Sequence, residues 1–317
     1  MTFYVTKRLA ESVIVLFVMS FAIYALMALM PGDPIDIMVQ SDPHLTPADA
    51  TRLKEIYGLD QPFSKRYANW FFSAVQGDFG YSRIHNRPTL EILAPRLTNT
   101  AWLMLASLLF SLIIALPIGI YSALHPYSKT DYLVNFLALG GISIPVFWLA
   151  LMLIVVFSVW FGWLPAGGMK TVGESGLADS LRHMILPVVT LSIASIGSLT
   201  RYVRSAMMEV LRNDYIRTAR AKGLSQSTIV FKHALRNAMI PVVTVIALSF
   251  GTLFSGALIT ETMFSYLGMG KLIYDSIMGN DFNMALVSLL FATALVLASN
   301  LLADLIYAWL DPRIHYR

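Results

Sequence analysis

Residues able to do chemistry are few in this 317-residue sequence, and their spacing argues against catalysis. The six histidines, at positions 44, 85, 125, 183, 233 and 315, all fall in or beside loops. No H-E-x-x-H pair sets two imidazoles on one helix face for a zinc ion. Cysteine is absent, which excludes disulfides, thiolate metal sites and a cysteine nucleophile together. Serines are numerous, but a membrane-embedded hydrolase needs one of them beside a base on a neighbouring apolar segment, and no histidine is so placed. A phosphate loop, G-x-x-x-x-G-K-[ST], is missing too. Gly268-Met269-Gly270-Lys271 comes nearest, with Ser265 at the first glycine position and Leu272 at the Ser/Thr position. No catalytic residue, cofactor or metal is therefore expected on this chain.

What remains is a chemistry of contact, concentrated in Arg204–Pro241. Asp214 can cap a short helix, Tyr215–Lys222, and Gly223 marks its end. Ser225 or Ser227 can cap a second helix running through Phe231 and Leu235 toward Asn237. The first helix would be only about 12 Å long, the size of a knob that fits a groove. A loop this rich in arginine and lysine has three uses: touching anionic headgroups, binding nucleic acid, or docking on a cytoplasmic motor. Nucleic acid is not expected, because no recognised fold or aromatic platform accompanies the charges. Between headgroups and a motor the loop alone does not choose.

The elements that position this loop are apolar. Hydrophobic residues make up 56% of the chain and charged ones 13%, with a mean hydropathy of +0.64. A backbone in hydrocarbon must satisfy its own hydrogen bonds, so long apolar runs read as helices. Six spans are expected, roughly Leu9–Met30, Thr100–Leu124, Tyr132–Trp160, His183–Val203, Pro241–Thr260 and Met284–Leu310. The third and sixth exceed what a bilayer needs and should tilt or extend into the interface. The first follows Lys7 and Arg8 but is too long for a secretory signal and lacks an A-x-A site, so a retained anchor is expected. With the N-terminus cytoplasmic, thirteen cations fall in inside segments and three, Lys170, Arg182 and Lys271, in the short outside loops. Both termini are therefore expected inside. Pro117, Pro145, Pro187 and Pro241 lie within or at the edge of spans, and each reads more simply as an ordinary membrane-helix proline than as a hinge. Carboxylates are nearly absent from span interiors, which argues against an ion-coupled carrier.

The long outer segment 31–99 stops the first span at Pro31-Gly32-Asp33-Pro34. Thr46-Pro47 then starts an amphipathic helix with Leu53, Ile56 and Tyr57 on one face. A second follows Pro62, with Tyr67, Trp70, Phe71, Ala74 and Val75 at i, i+3, i+4, i+7 and i+8 until Gly77. Such stripes suit interface packing or an outside partner equally. Gly77-Asp78-Phe79-Gly80-Tyr81-Ser82 is loop-like. Three regions result: 1–30, the N-terminus and first span; 31–99, the outer helical segment; and 100–317, a five-helix core carrying the loop 204–240.

The run Arg204-Ser205-Ala206-Met207-Met208-Glu209-Val210-Leu211-Arg212-Asn213-Asp214-Tyr215-Ile216-Arg217-Thr218-Ala219-Arg220-Ala221-Lys222-Gly223-Leu224 closely resembles the cytoplasmic loop of dipeptide/oligopeptide ABC permeases. His233-Ala234-Leu235-Arg236-Asn237-Ala238-Met239-Ile240-Pro241 continues the match. General importers begin this loop Glu-Ala-Ala, with glycine four positions on. Here Arg217, Thr218, Ala219 and Gly223 stand there, as in the peptide subgroup's own version. Gly58-Leu59-Asp60-Gln61-Pro62, Gly77-Asp78-Phe79-Gly80, Trp163-Leu164-Pro165-Ala166-Gly167-Gly168, Glu261-Thr262-Met263-Phe264-Ser265-Tyr266-Leu267-Gly268-Met269-Gly270 and Asp311-Pro312-Arg313-Ile314 resemble further segments of the subunit type with a long first outer loop. The resemblance implies an all-α type I importer permease in the bacterial inner membrane, with about six spans. It implies as partners a second homologous permease, two ABC ATPase subunits that bind the ATP and magnesium, and a periplasmic binding protein. It places the ATPase contact on Tyr215, Ile216, Arg217, Thr218, Ala219, Arg220, Ala221, Lys222, Gly223 and Leu224. Peptides are the implied cargo, and nickel, glutathione or oligosaccharides the alternatives among relatives.

Overall fold

The computed structural model describes residues 2–29, 52, 60–174 and 176–310. In chain order its elements are α1 (Thr2–Ala28), α2 (Phe63–Val75), β1 (Tyr81–Ser82), β2 (Arg87–Pro88), α3 (Thr89–Leu124), α4 (Lys129–Ser143) and α5 (Val146–Leu153). A π-helical segment, π1 (Ile154–Trp160), extends α5. Then come α6 (Leu177–Leu211), α7 (Asp214–Ala221), α8 (Gln226–Thr228), π2 (Ile229–Ala234), α9 (Leu235–Met263), α10 (Met269–Met278) and α11 (Phe282–Leu310). Among the described residues five helices are long and apolar enough to cross a membrane, and α4 with α5–π1 makes six if that bent pair is one span. The helical class expected from hydropathy is present, with five to six candidate spans against the six expected.

Two expectations about boundaries change. The third span is not one tilted helix: α4 and α5–π1 meet at 101° across Ile144 and Pro145. A proline cannot donate to the ladder, and it pushes the residue before it toward extended backbone. Ile144 has ψ 124° accordingly. The basic loop is also shorter than Arg204–Pro241. Helix α6 carries on through Arg204 to Leu211, and α8, π2 and α9 follow one another without a gap from Gln226 to Met263. The second loop helix therefore does not stop near Asn237 but becomes the fifth span. The charged ends of both spans reach beyond their apolar stretches because propagating a helix costs less than starting one.

The chain divides into two compact units, one built on Asn99–Leu267 and one on Thr6–Thr98 with Gly268–Leu295. In the first, α4 packs on α6 through glycines. A Cβ on Gly197 would lie 2.5 Å from the Ala138 carbonyl, and one on Gly141 would lie 3.1 Å from Ile193 Cγ2. Small residues let helix backbones approach closely where no hydrophobic force drives helices together in lipid. The Ser192 hydroxyl adds a bond across to the Ser107 carbonyl of α3 at 3.0 Å.

In the second unit the aromatic stripe of α2 finds its partner. Phe71 meets Phe17 edge-on at 5.4 Å between ring centroids, Tyr67 meets Phe21 at 5.2 Å, and the Tyr67 hydroxyl lies 2.8 Å from that of Ser20. The stripe expected on Tyr67, Trp70 and Phe71 is thus filled by α1. The other expected outer helix, 46–57, lies outside the described residues but for Arg52. Gly77 and Gly80 turn at positive φ, after which Tyr81 and Ser82 pair antiparallel with Pro88 and Arg87, so the loop-like segment ends in a small ribbon. Asp281 holds it: one carboxylate oxygen accepts from the Ser82 hydroxyl at 2.5 Å and the Ile84 N–H at 3.1 Å. The other oxygen caps α11 through the Met284 N–H at 3.2 Å.

Candidate docking site

Helix α7 sits between the end of α6 and the start of α8. Its N-cap is Asn213, with extended backbone and no side-chain cap bond, rather than the expected Asp214. Asp214 is instead the first helical residue, where its charge suits the positive helix end. It accepts from Arg217 Nη1 at 3.2 Å, but both groups are exposed and the pair contributes little. The C-terminus is closed as expected. Gly223 takes φ +73°, its N–H reaches the Arg220 carbonyl at 3.0 Å, and the Leu224 N–H reaches that of Ala219 at 3.4 Å. This double closure is the Schellman arrangement, which a glycine makes without strain.

The ten expected contact residues divide into two groups. Ile216 is fully buried and Ala219 nearly so, three positions apart on one face. They join a cluster with Ile120 and Ala123 of α3, Val203 and Met207 of α6, Ile229 and Val230 of π2, and Ala238 of α9. Burying one such isoleucine stabilises by about 1.5–3 kcal/mol. The helix is thereby rooted in three spans at once. The other eight, Tyr215, Arg217, Thr218, Arg220, Ala221, Lys222, Gly223 and Leu224, are exposed. They present three cations flanked by an aromatic and an aliphatic side chain. A Cβ on Gly223 would meet nothing within 4 Å. Such a surface suits docking. Among the described residues, no three His, Asp or Glu side chains gather as a metal site.

Sequence reasoning missed the joint beneath this site. Asp131, at the start of α4, is 2% exposed and accepts from Arg204 of α6 through Nε at 2.6 Å and Nη2 at 2.7 Å. The Ser122 hydroxyl of α3 and the Tyr127 N–H also donate to it. One carboxylate therefore ties together three spans one turn from Met207. A signal existed: Ser128-Lys129-Thr130-Asp131 is a capping pattern, and Ser128 does accept from the Asp131 N–H, at 3.2 Å. The partner, 73 positions away, has no local signature.

Comparison with known proteins agrees with this architecture. The family of binding-protein-dependent transport system inner membrane components matches residues 115–316, and its N-terminal companion family matches 1–104. The oligopeptide transport system permease protein AppB of Bacillus subtilis is 41% identical over 318 residues, covering all of both chains. A putative peptide permease protein of Brucella ovis is 40% identical over 98% of each chain. The glutathione transport system permease protein GsiC of Escherichia coli is 38% identical over 99% of each. A crystal structure of an amino acid ABC transporter shares the fold at a TM-score of 0.50 and 14% identity, over 69% of this chain and 94% of that one. The chain belongs to the family of binding-protein-dependent transport system inner membrane components, the permease subunits of ABC transporters.

Proposed function

We propose that this chain is the permease subunit of an ATP-driven importer of di- and oligopeptides, and that it forms the translocation path with a second, homologous permease. Both termini lie in the cytoplasm, a reading supported by thirteen cations against three. Two ATPase subunits bind the ATP and magnesium and press on Tyr215–Leu224, while a periplasmic binding protein delivers cargo outside. The observation that carries the coupling role is the rooting of α7: Ile216 and Ala219 sit in a core shared by α3, α6 and α9, so a push on the exposed face is passed to three spans. Peptide cargo is supported by the names of the relatives aligned end to end. Glutathione, itself a tripeptide, is the second reading, supported by the relative at 38% identity.

The test is reconstitution of the complete assembly in vesicles. Loaded binding protein should stimulate ATP hydrolysis and peptide uptake together, and omission of this chain should abolish both. The chain alone should not hydrolyse ATP. Stimulation by glutathione but by no longer peptide would move the cargo to the second reading, and hydrolysis by the purified chain would sink the assignment.

A further inference from the structure

The elbow in the third span is the feature the coupling role leaves unexplained. Its two arms are fifteen residues each, α4 on one side and α5 with π1 on the other. At about 1.5 Å per residue each arm measures about 22 Å, short of the roughly 30 Å hydrocarbon core. Contacts with α6 say whether the chain turns back. Asp131 meets Arg204, Ala138 packs on Gly197, Gly141 packs on Ile193, and Ala150 shares a buried cluster with Leu186. As the chain ascends through both arms, its partners descend steadily along α6. The element therefore crosses, and its break lies near the middle of the crossing.

A break there exposes backbone. Ile144 and Pro145 are both extended, with ψ 124° and 133°. The first ladder ends with the Ile144 N–H on the Gly140 carbonyl at 3.2 Å, and the second begins with the Leu149 N–H on the Pro145 carbonyl at 3.0 Å. The carbonyls of Gly141, Ile142, Ser143 and Ile144 and the N–H groups of Val146, Phe147 and Trp148 are left outside both ladders. No side chain among the described residues reaches them. Ser143 and Pro145 are exposed, and a Cβ on Gly140 would meet nothing within 4 Å. Lipid offers such groups no partner, so irregular backbone at this depth survives only against protein or water.

We propose that the elbow Ser143–Ile144–Pro145 lies on the water-filled translocation path, where its free backbone donors and acceptors are hydrated and receive the amide groups of passing cargo. Four acceptors beside three donors suit a peptide backbone, which carries both, better than a purely anionic or cationic solute. The cargo half of this inference rests on the proposed function; the hydrated elbow rests on the geometry alone.

The chain has no cysteine, so one introduced thiol reports its own surroundings. Ser143→Cys and Ile142→Cys are compared with Leu137→Cys, an exposed α4 position on a different helix face, in the whole transporter in vesicles. The probe is a charged, membrane-impermeant thiosulfonate, added on both sides. Only the thiolate reacts, and each pKa unit gained in apolar surroundings slows it about tenfold. Position 143 should therefore label at least about tenfold faster than 137, and saturating peptide during turnover should slow it. Equal, slow labelling at 143 and 137 in both nucleotide-free and ATP-trapped states overturns the proposal. So does labelling that the second permease abolishes in every state, since the elbow is then a dry subunit contact. Fast labelling in an assembly that imports no peptide upholds the hydrated elbow and rejects only the cargo.

Discussion

Replacing Gly223 separates a helix stop from a docking surface, because the structure fixes what the substitution costs inside the chain. The residue sits at φ +73°, where a side chain costs about 1–2 kcal/mol and asparagine or aspartate less. Its Cβ direction is open, so no collision within the chain adds to that. Asparagine and aspartate have nearly the same shape and both accept left-handed backbone, so the pair differs chiefly in charge. A carboxylate at a helix C-terminus is disfavoured by about 0.3–1 kcal/mol, partly offset here by Arg217, Arg220 and Lys222 nearby. Both variants should therefore insert and assemble at wild-type levels, read by the yield of co-purified transporter. If ATPase subunits pack on this turn, ATPase stimulation by loaded binding protein should fall with Gly223→Asn and fall further with Gly223→Asp, with uptake falling in parallel. Wild-type transport by Gly223→Asp in reconstituted vesicles would refute the docking role of Tyr215–Leu224.

Reporter fusions test topology: one placed after Gly173 should report outside and one after Ser225 inside, and an outside signal at Ser225 would remove the ATPase contact. Asp131→Ala should lower thermal stability of the detergent-purified chain by about 1–3 kcal/mol, since it leaves the half-buried Arg204 without its carboxylate. The double change Asp131→Leu with Arg204→Met should recover most of that loss; a double variant as unstable as the single one would show that the pair is not the joint. Gly197→Val drives a side chain against the Ala138 carbonyl and should reduce assembly yield, whereas Gly176→Ala, on extended backbone in open space, should reduce it little.

How far the sequence reaches depends on whether the cause is local. The α2 stripe is legible because Tyr67, Trp70 and Phe71 repeat at helical spacing, and the end of α7 is legible because Gly223 is the residue a left-handed turn needs. The elbow is not legible. Pro187 and Pro241 lie inside continuous helices while Pro145 ends one, and all three follow a large aliphatic residue. What differs lies far along the chain: Gly197 and Ile193 seat the first arm on α6, while the cluster of Ala150, Leu186 and Phe264 seats the second. The Asp131–Arg204 joint escapes for the same reason. Each residue alone looks like a charged helix end, and only folding shows that they meet.

The unbroken run from Gln226 to Met263 bears on how force crosses the molecule. At about 1.5 Å per residue its thirty-eight residues measure roughly 57 Å, nearly twice the hydrocarbon thickness. Its N-terminal end carries Ile229 and Val230, packed with Ile216. Its C-terminal end delivers Phe264, whose carbonyl accepts the Gly168 N–H at 2.8 Å, so the segment between π1 and α6 is fastened to the same helix. Pivoted near its middle, such an arm moves each tip by about 5 Å for a tilt of about 10°, in opposite directions. Movement at one end is thereby opposite movement at the other, without any intermediate part that has to be timed.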